Sequence, residues 1–394
     1  MSVGNLTRNT QIHHLDPGIG KGIYAQFTSS RATLHHQRKV RMLYIPCMKV
    51  GQNDVKALIN LEEHRKELVS PLLNMRGKER NLNDFLVNWG NHPYLMDVSR
   101  SPQDIADEVI AERDLHNPTN HFENKRIWLA ELKTQNNYLI PVVSWLDTDN
   151  SRDVIQQTRL LLTEFETIAI RVICTPEITG ASWDRAISIL DAIPTPENII
   201  VILDFGDRSP ISTINGGTLD HSLSTLDTYG VHSATLISSS FPSQKPQSGS
   251  SGTAICHDIV WQTEAQQLNG AINLIYGDYA GTNPGAAVEY IPGMAVIPFA
   301  SYYAPNEWWL KRLGRDKEFE NYVQLARDIR QLPDYHGDDF CWATREYGRI
   351  SQTSERYGNN GVWNGLRANQ HICATLQFLQ LEDDGDNVSI DDIF

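Results

Sequence analysis

The 394 residues, 40% hydrophobic and 21% charged, suffice for one large α/β domain with additions or for two domains. A formal net charge of −14 excludes a protein whose whole surface binds nucleic acid or anionic membrane, while leaving room for one basic pocket. The five cysteines form no Cys-x-x-Cys pair and no apolar run approaches the ~20 residues of a membrane span, so the expectation is a cytoplasmic chain with reduced thiols and no membrane contact.

Residues 1–40 read as a basic flexible arm, with Arg8, Lys21, Arg31, Arg38 and Lys39 against the single acid Asp16. The histidine pairs there lack a cysteine or carboxylate frame, so they imply no metal site. From residue 41 a rhythm of apolar strands and amphipathic helices sets in. A strand over 42–48 ends at Lys49, and a helix follows with Val55, Leu58 and Ile59 on one face. The strand over 71–75 ends at Arg76, and the strand over 93–96 ends at Asp97 after a helix carrying Phe85 and Trp89. Helical patterns over 102–115 and 125–134 lead to the strand 139–143, which ends at Ser144. A helix over 153–165 precedes the strand 168–173, which holds Arg171 inside it, and a helix over 182–193 comes next.

The run Ile199-Ile-Val-Ile-Leu203 into Asp204 has the unbroken apolar character of a strand buried on both faces. Two more strands end at Ser238 and at Asp278-Tyr279, with a turn-rich, flexible loop expected over 243–252. Eight strands alternating with helices imply a parallel sheet, because parallel neighbours need crossovers. The predicted fold is α/β: a (β/α)8 TIM-like barrel over 41–280, with an open doubly wound sheet as the alternative. Residues 281–378 break the rhythm and gather Tyr302, Tyr303, Trp308, Trp309, Trp342 and Trp363, which predicts an α+β extension packed on the barrel or over its mouth. A strand is expected over 294–299, and residues 379–394 form an acidic tail.

In a barrel, the strand ends converge on one mouth. Lys49, Arg76, Asp97, Ser144, Arg171, Asp204, Ser238 and Asp278 would then meet there, joined by Tyr279 and by His371 from the extension. Cations and hydroxyls in this mix suit an anionic small molecule or nucleotide, for which Arg supplies bidentate donors and Lys a point charge. Asp204, Asp278 and Asp97 are the candidate acid–base residues, and as a trio they could instead hold a divalent ion. The competing reading is a buried ion-pair network that serves only the fold. His336-Gly-Asp338-Asp339 with Arg345, and Arg367-Ala-Asn369-Gln-His371, could complete the site or hold a lid. No Walker A, GxGxxG, GxSxG or HExxH pattern occurs, and the cofactor stays unassigned.

These features resemble the beta-protein family of phages and bacteria. The resemblance rests on Tyr44-Ile-Pro with Lys49, Pro71-Leu-Leu, Asp97, Val201-Ile-Leu-Asp204, Ser239-Ser-Phe-Pro242, Tyr276-Gly-Asp-Tyr279 and Arg367-Ala-Asn-Gln-His371. It implies a barrel-like domain and a setting among phages, prophages and mobile islands, and supplies no catalytic residues. The final Asp391-Asp392-Ile393-Phe394, at the end of an acidic run, is similar to the C-terminal tip of bacterial single-stranded-DNA-binding proteins. That similarity implies docking onto host replication or repair proteins. The expected function is a phage- or defence-associated barrel protein that binds, and in one version hydrolyses, a phosphate-bearing ligand at its mouth. The alternatives are a non-enzymatic interaction protein of phage–host conflict and a metal-dependent phosphodiesterase.

Overall fold

The computed structural model describes residues 43–102, 104–174, 180–207, 218–268, 272–284, 294–304, 306–379 and 381. Eight parallel strands close into a barrel: β1 (Tyr44–Lys49), β2 (Leu72–Met75), β3 (Tyr94–Val98), β4 (Leu139–Val143), β5 (Ile168–Ile173), β6 (Ile199–Gly206), β7 (Ser233–Ser238) and β9 (Asn273–Asp278). Closure is made by β9 on β1, where Tyr44 pairs with Tyr276 and Pro46 with Asp278. The predicted TIM-like barrel is therefore the fold, and the open sheet is not.

Strand alternation divides the core in two. Ile45, Cys47, Leu72, Leu95, Ile140, Val142, Ala169, Ile200, Ile202, Ile237 and Ile275 fill the barrel interior as one apolar cluster. Their neighbours on the same strands, such as Tyr44, Leu73, Met96, Leu203 and Tyr276, face the outer layer. Helices cover that layer, among them Gln52–Ile59, Glu79–Trp89, Glu123–Gln135, Ser151–Glu164 and Ala181–Ala192. The helical pattern expected over 102–115 resolves into turns and the short helix Glu108–Glu112. Asp107 ends the preceding turn by accepting from the Gly77 backbone N–H across the loops, at 2.7 Å.

Beyond the barrel, β8 (Ser251–Ile255), β10 (Phe299–Ala304) and β11 (Glu307–Arg312) form an antiparallel sheet in the order β10-β11-β8. Part of the loop expected over 243–252 is thus strand: Ser251 and Gly252 pair with Lys311 and Leu310. The strand escaped notice because its side chains alternate between exposed and half-exposed and bury no apolar face. The strand expected over 294–299 begins only at Phe299.

The extension is tied down by the helix Asn360–Phe378, which buries Trp363 and nearly every residue from Gly365 to Leu376. Each polar residue of its Asn369-Gln-His371 segment holds a different element. Asn369 donates to Ala57 O (2.9 Å) and accepts from Ala343 N (3.1 Å), and Gln370 both accepts from and donates to the backbone of Tyr303. The helix comes so close to Asn53 that a Cβ at Gly365 would lie 2.7 Å from the Asn53 carbonyl oxygen. Among the described residues no helix is long and apolar enough to cross a membrane.

Candidate functional site

A cavity of about 1010 Å³ opens at the carboxyl ends of the barrel strands. Its floor is a buried charge cluster centred on Arg171. The guanidinium donates to Asp97 Oδ2 (2.9 Å) from Nη1 and to Asp204 Oδ2 (2.9 Å) from Nε, and Nη2 reaches the Tyr279 hydroxyl at 3.3 Å. Tyr279 in turn donates to Asp204 Oδ1 at 2.6 Å, and the Ser144 hydroxyl donates to Asp97 Oδ1. Burial disfavours the charge of Asp97, but Arg171, Arg100 and Lys125 nearby outweigh it and hold this carboxyl below the usual carboxylate range. Burial, then the charge of Asp204, pushes the Tyr279 phenol well up, so it stays a donor.

Above the floor the cavity has two unlike sides. The ends of β1, β2 and β3 and the segments after them contribute Lys49, Asp54, Asn74, Arg76, Arg100 and Asp104. Arg76 is paired with Asp104 at 3.3 Å. Among the described residues, Lys49 and Arg100 have no hydrogen-bond or ion-pair partner. Burial lowers the Arg100 pKa, with the charge of Asp97 opposing it. The end of β5 and the segments after β4 and β5 contribute Trp145, Leu146, Ile173 and Ala181, with Asp147 beside them.

Asp54 is a cavity carboxyl whose ionisation burial disfavours. Burial pushes it up to about 6, against the pull of Arg367, Arg76 and Lys49. It stands in the first turn of the helix Gln52–Ile59, with its carboxylate folded over Gly51, where a Cβ would collide with Oδ2.

Of the residues expected at the mouth, Lys49, Arg76, Arg171, Asp204 and Tyr279 line the cavity, and Asp97 and Ser144 are bonded into its floor. Three lie elsewhere, which corrects the expected single ring. Asp278 points outward from β9 and accepts from Tyr44 OH (2.7 Å), the Ala280 backbone N–H (2.8 Å) and Tyr276 OH (3.2 Å). His371 completes that set through Nε2 at 2.8 Å, its ring stacked on Trp308. Ser238 points outward from β7 and donates to Asp258 at 2.6 Å, at the start of the helix Asp258–Leu268. The reason is strand parity: Ile275 and Gly277 face inward on β9, so Asp278 cannot.

The divalent-ion trio of Asp97, Asp204 and Asp278 is therefore not assembled. Asp97 and Asp204 share Arg171, while Asp278 lies across the barrel wall. Among the described residues no group of three His, Cys, Asp or Glu could hold a metal ion.

The second constellation serves the extension itself. Asp338 takes a two-pronged pair from Arg330 (2.9 and 2.8 Å), His336 meets Tyr302 OH, and Arg345 reaches Glu62 at 2.8 Å. Asp391, Asp392, Ile393 and Phe394, like the arm of residues 1–40, lie outside the described residues.

Residues 44–377 match the family model described as Beta protein. Protein beta of Enterobacteria phage P4 is 25% identical over 343 residues, covering 84% of this chain and 91% of that protein. A crystal structure of the biosynthetic arginine decarboxylase from Campylobacter jejuni covers 86% of this chain at 9% identity and a TM-score of 0.34, the chain spanning 56% of that longer protein. The family match begins on the first residue of β1 and ends within the last helix, so barrel and extension alike belong to it: the chain is a member of the beta protein family.

Proposed function

We propose that the protein binds a phosphate-bearing ligand in the cavity at the carboxyl-end mouth of its barrel. The observation that carries this reading is that Lys49 and Arg100 line the cavity without a hydrogen-bond or ion-pair partner among the described residues, whereas Arg76 and Arg171 are already paired. A half-buried cation left unpaired is only partly hydrated, and an arriving phosphate supplies the charge-assisted contacts it lacks. In the hydrolytic form of this reading, proton transfer falls to Asp54, because Asp204 is held between Arg171 and Tyr279.

The test is calorimetric titration of pyrophosphate and a nucleotide panel into wild type, Lys49→Ala and Arg100→Ala, with circular dichroism as the fold control. Each substitution removes a charge-assisted contact of about 1.5–3 kcal/mol, so affinity should fall about 10- to 100-fold. Equal affinities in all three proteins, or no binding by wild type, would reject the reading.

A place in phage–host conflict and a docking role for Asp391-Asp392-Ile393-Phe394 are separate proposals. They rest on the phage relative and on the tail sequence alone. Deleting Ile393 and Phe394 and comparing partners recovered from bacterial lysate checks the second; an unchanged set counts against it.

A further inference from the structure

We propose that the ligand is a small nucleoside phosphate, its phosphate between Lys49 and Arg100 and its base against the apolar wall of Trp145, Leu146 and Ile173; this rests on the phosphate-binding reading above. Three observations favour a nucleotide over other phosphate carriers. The first is the division of the lining. Lys49, Arg76 and Arg100 stand on the β1–β3 side, while Trp145, Leu146, Ile173 and Ala181 stand on the β4–β5 side. Inorganic phosphate or pyrophosphate would use only the first side and leave the second against water. A nucleotide has a charged end and a flat apolar end and uses both.

The second observation is that the cavity is blind. Arg171, Asp204 and Asp97 close its floor and are almost wholly buried, so a strand of nucleic acid cannot thread through the barrel. The volume of about 1010 Å³ lies at the upper edge of the range for small-molecule sites.

The third is charge. The cavity lining holds the cations Lys49, Arg76, Arg100 and Arg171 against the carboxylates Asp54, Asp104, Asp107, Asp147 and Asp204, in a chain of net charge −14. Two free cations can seat one phosphate group, whereas a polymer needs many and would meet repulsion beyond the rim. Asp147 is exposed beside Leu146 and has no hydrogen-bond or ion-pair partner among the described residues. It is placed to accept from ribose hydroxyls between base and phosphate.

The experiment titrates wild type with pyrophosphate, purine and pyrimidine nucleosides, their mono- and diphosphates, and a short single-stranded oligonucleotide. The same series is run on Leu146→Ala and Ile173→Ala, both at half-buried positions where the fold should tolerate the change, with melting curves as control. At least one nucleotide should bind about 10- to 100-fold more tightly than pyrophosphate, the increment expected of a base set against an aromatic and apolar wall. The two variants should narrow that gap while leaving pyrophosphate affinity unchanged. Equal binding of pyrophosphate and nucleotides would overturn this inference and leave phosphate binding standing. Tighter binding of the oligonucleotide than of any nucleotide would overturn it too. Failure of every compound to bind would reject both.

Discussion

Replacing Asp54 by Asn should make the unliganded protein more stable at neutral pH. The carboxyl sits half-buried over Gly51, and burial raises its pKa from 3.8 to about 6 although Arg367, Arg76 and Lys49 pull the other way. In the unfolded chain it ionises near its ordinary value. Between these two values the folded state holds a proton that the unfolded state has lost. Stability therefore falls as pH rises from about 4 through about 6 and stays lower above that.

The full shift corresponds to about 3 kcal/mol, and water on the cavity side reduces this to about 1–2 kcal/mol. Asn keeps the shape and removes the charge. Urea unfolding should show Asp54→Asn more stable than wild type by about 1–2 kcal/mol at pH 7.5, with the difference gone by pH 4. The opposite result, a variant less stable at pH 7.5, would show that the ionised carboxylate stabilises the fold at the positive end of its helix, so that its pKa is lowered and not raised. That would remove Asp54 as a proton-transfer group. A gain in stability on neutralising a cavity residue is expected where a site is kept for binding or catalysis at the expense of the fold.

Three further outcomes separate floor, wall and clamp. Arg171→Met leaves Asp97 and Asp204 buried without their shared cation and should cost about 3–5 kcal/mol, read as a lower urea midpoint. Asp278→Asn weakens the set of Tyr44, His371 and Tyr276 and should cost about 1–3 kcal/mol, while ligand affinity stays within about twofold of wild type because this carboxylate does not face the cavity. Gly365→Ala forces a Cβ against the Asn53 carbonyl and should cost about 1–3 kcal/mol, shifting the neighbouring Asp54 as well, which pH titration of ligand binding would register.

The barrel was legible in the sequence because its strands are short, apolar and separated by helix-sized spans, as in Ile199-Ile-Val-Ile-Leu203. That same uniformity hid which strand-end residues face inward. A strand buried on both faces shows no polar–apolar alternation, so the last polar residue of β7 and β9 passed for a mouth residue. The missing clue was Gly277, where a Cβ would lie 2.6 Å from Thr235 Oγ1. A glycine forced by the crowded interior fixes Gly277 inward, hence Asp278 outward and Tyr279 at the mouth. Arg100 and Asp54 escaped for another reason. Arg100 sits beyond β3, in a segment without local pattern, and Asp54 sits on a helix whose apolar pattern is plain but which lies off the strand ends that mark a barrel mouth. In the segment from Arg367 to His371, which the sequence marks as a constellation, Asn369, Gln370 and His371 Nε2 are braces, each bonded to a different element.

Those braces explain why an extension belongs with this barrel. The helix Asn360–Phe378 reaches the mouth less through its own ionisable groups than through the helix Gln52–Ile59, which it clamps. Gly361 and Gly365 admit Asn53 against the helix, and Asn369 fixes Ala57 one turn further on. Between those two contacts stands Asp54, next to Lys49 in the cavity lining. The helix Gln52–Ile59 lacks a side-chain cap at its first turn, so that turn is held over the cavity by the clamp together with the buried Val55, Ala57 and Leu58. Arg367 adds a buried guanidinium behind it, stacked 4.5 Å from the centre of the Phe241 ring and lowered by burial to a pKa of about 10. Barrel and extension therefore build the rim together, which is consistent with a family match that runs unbroken from β1 into the last helix.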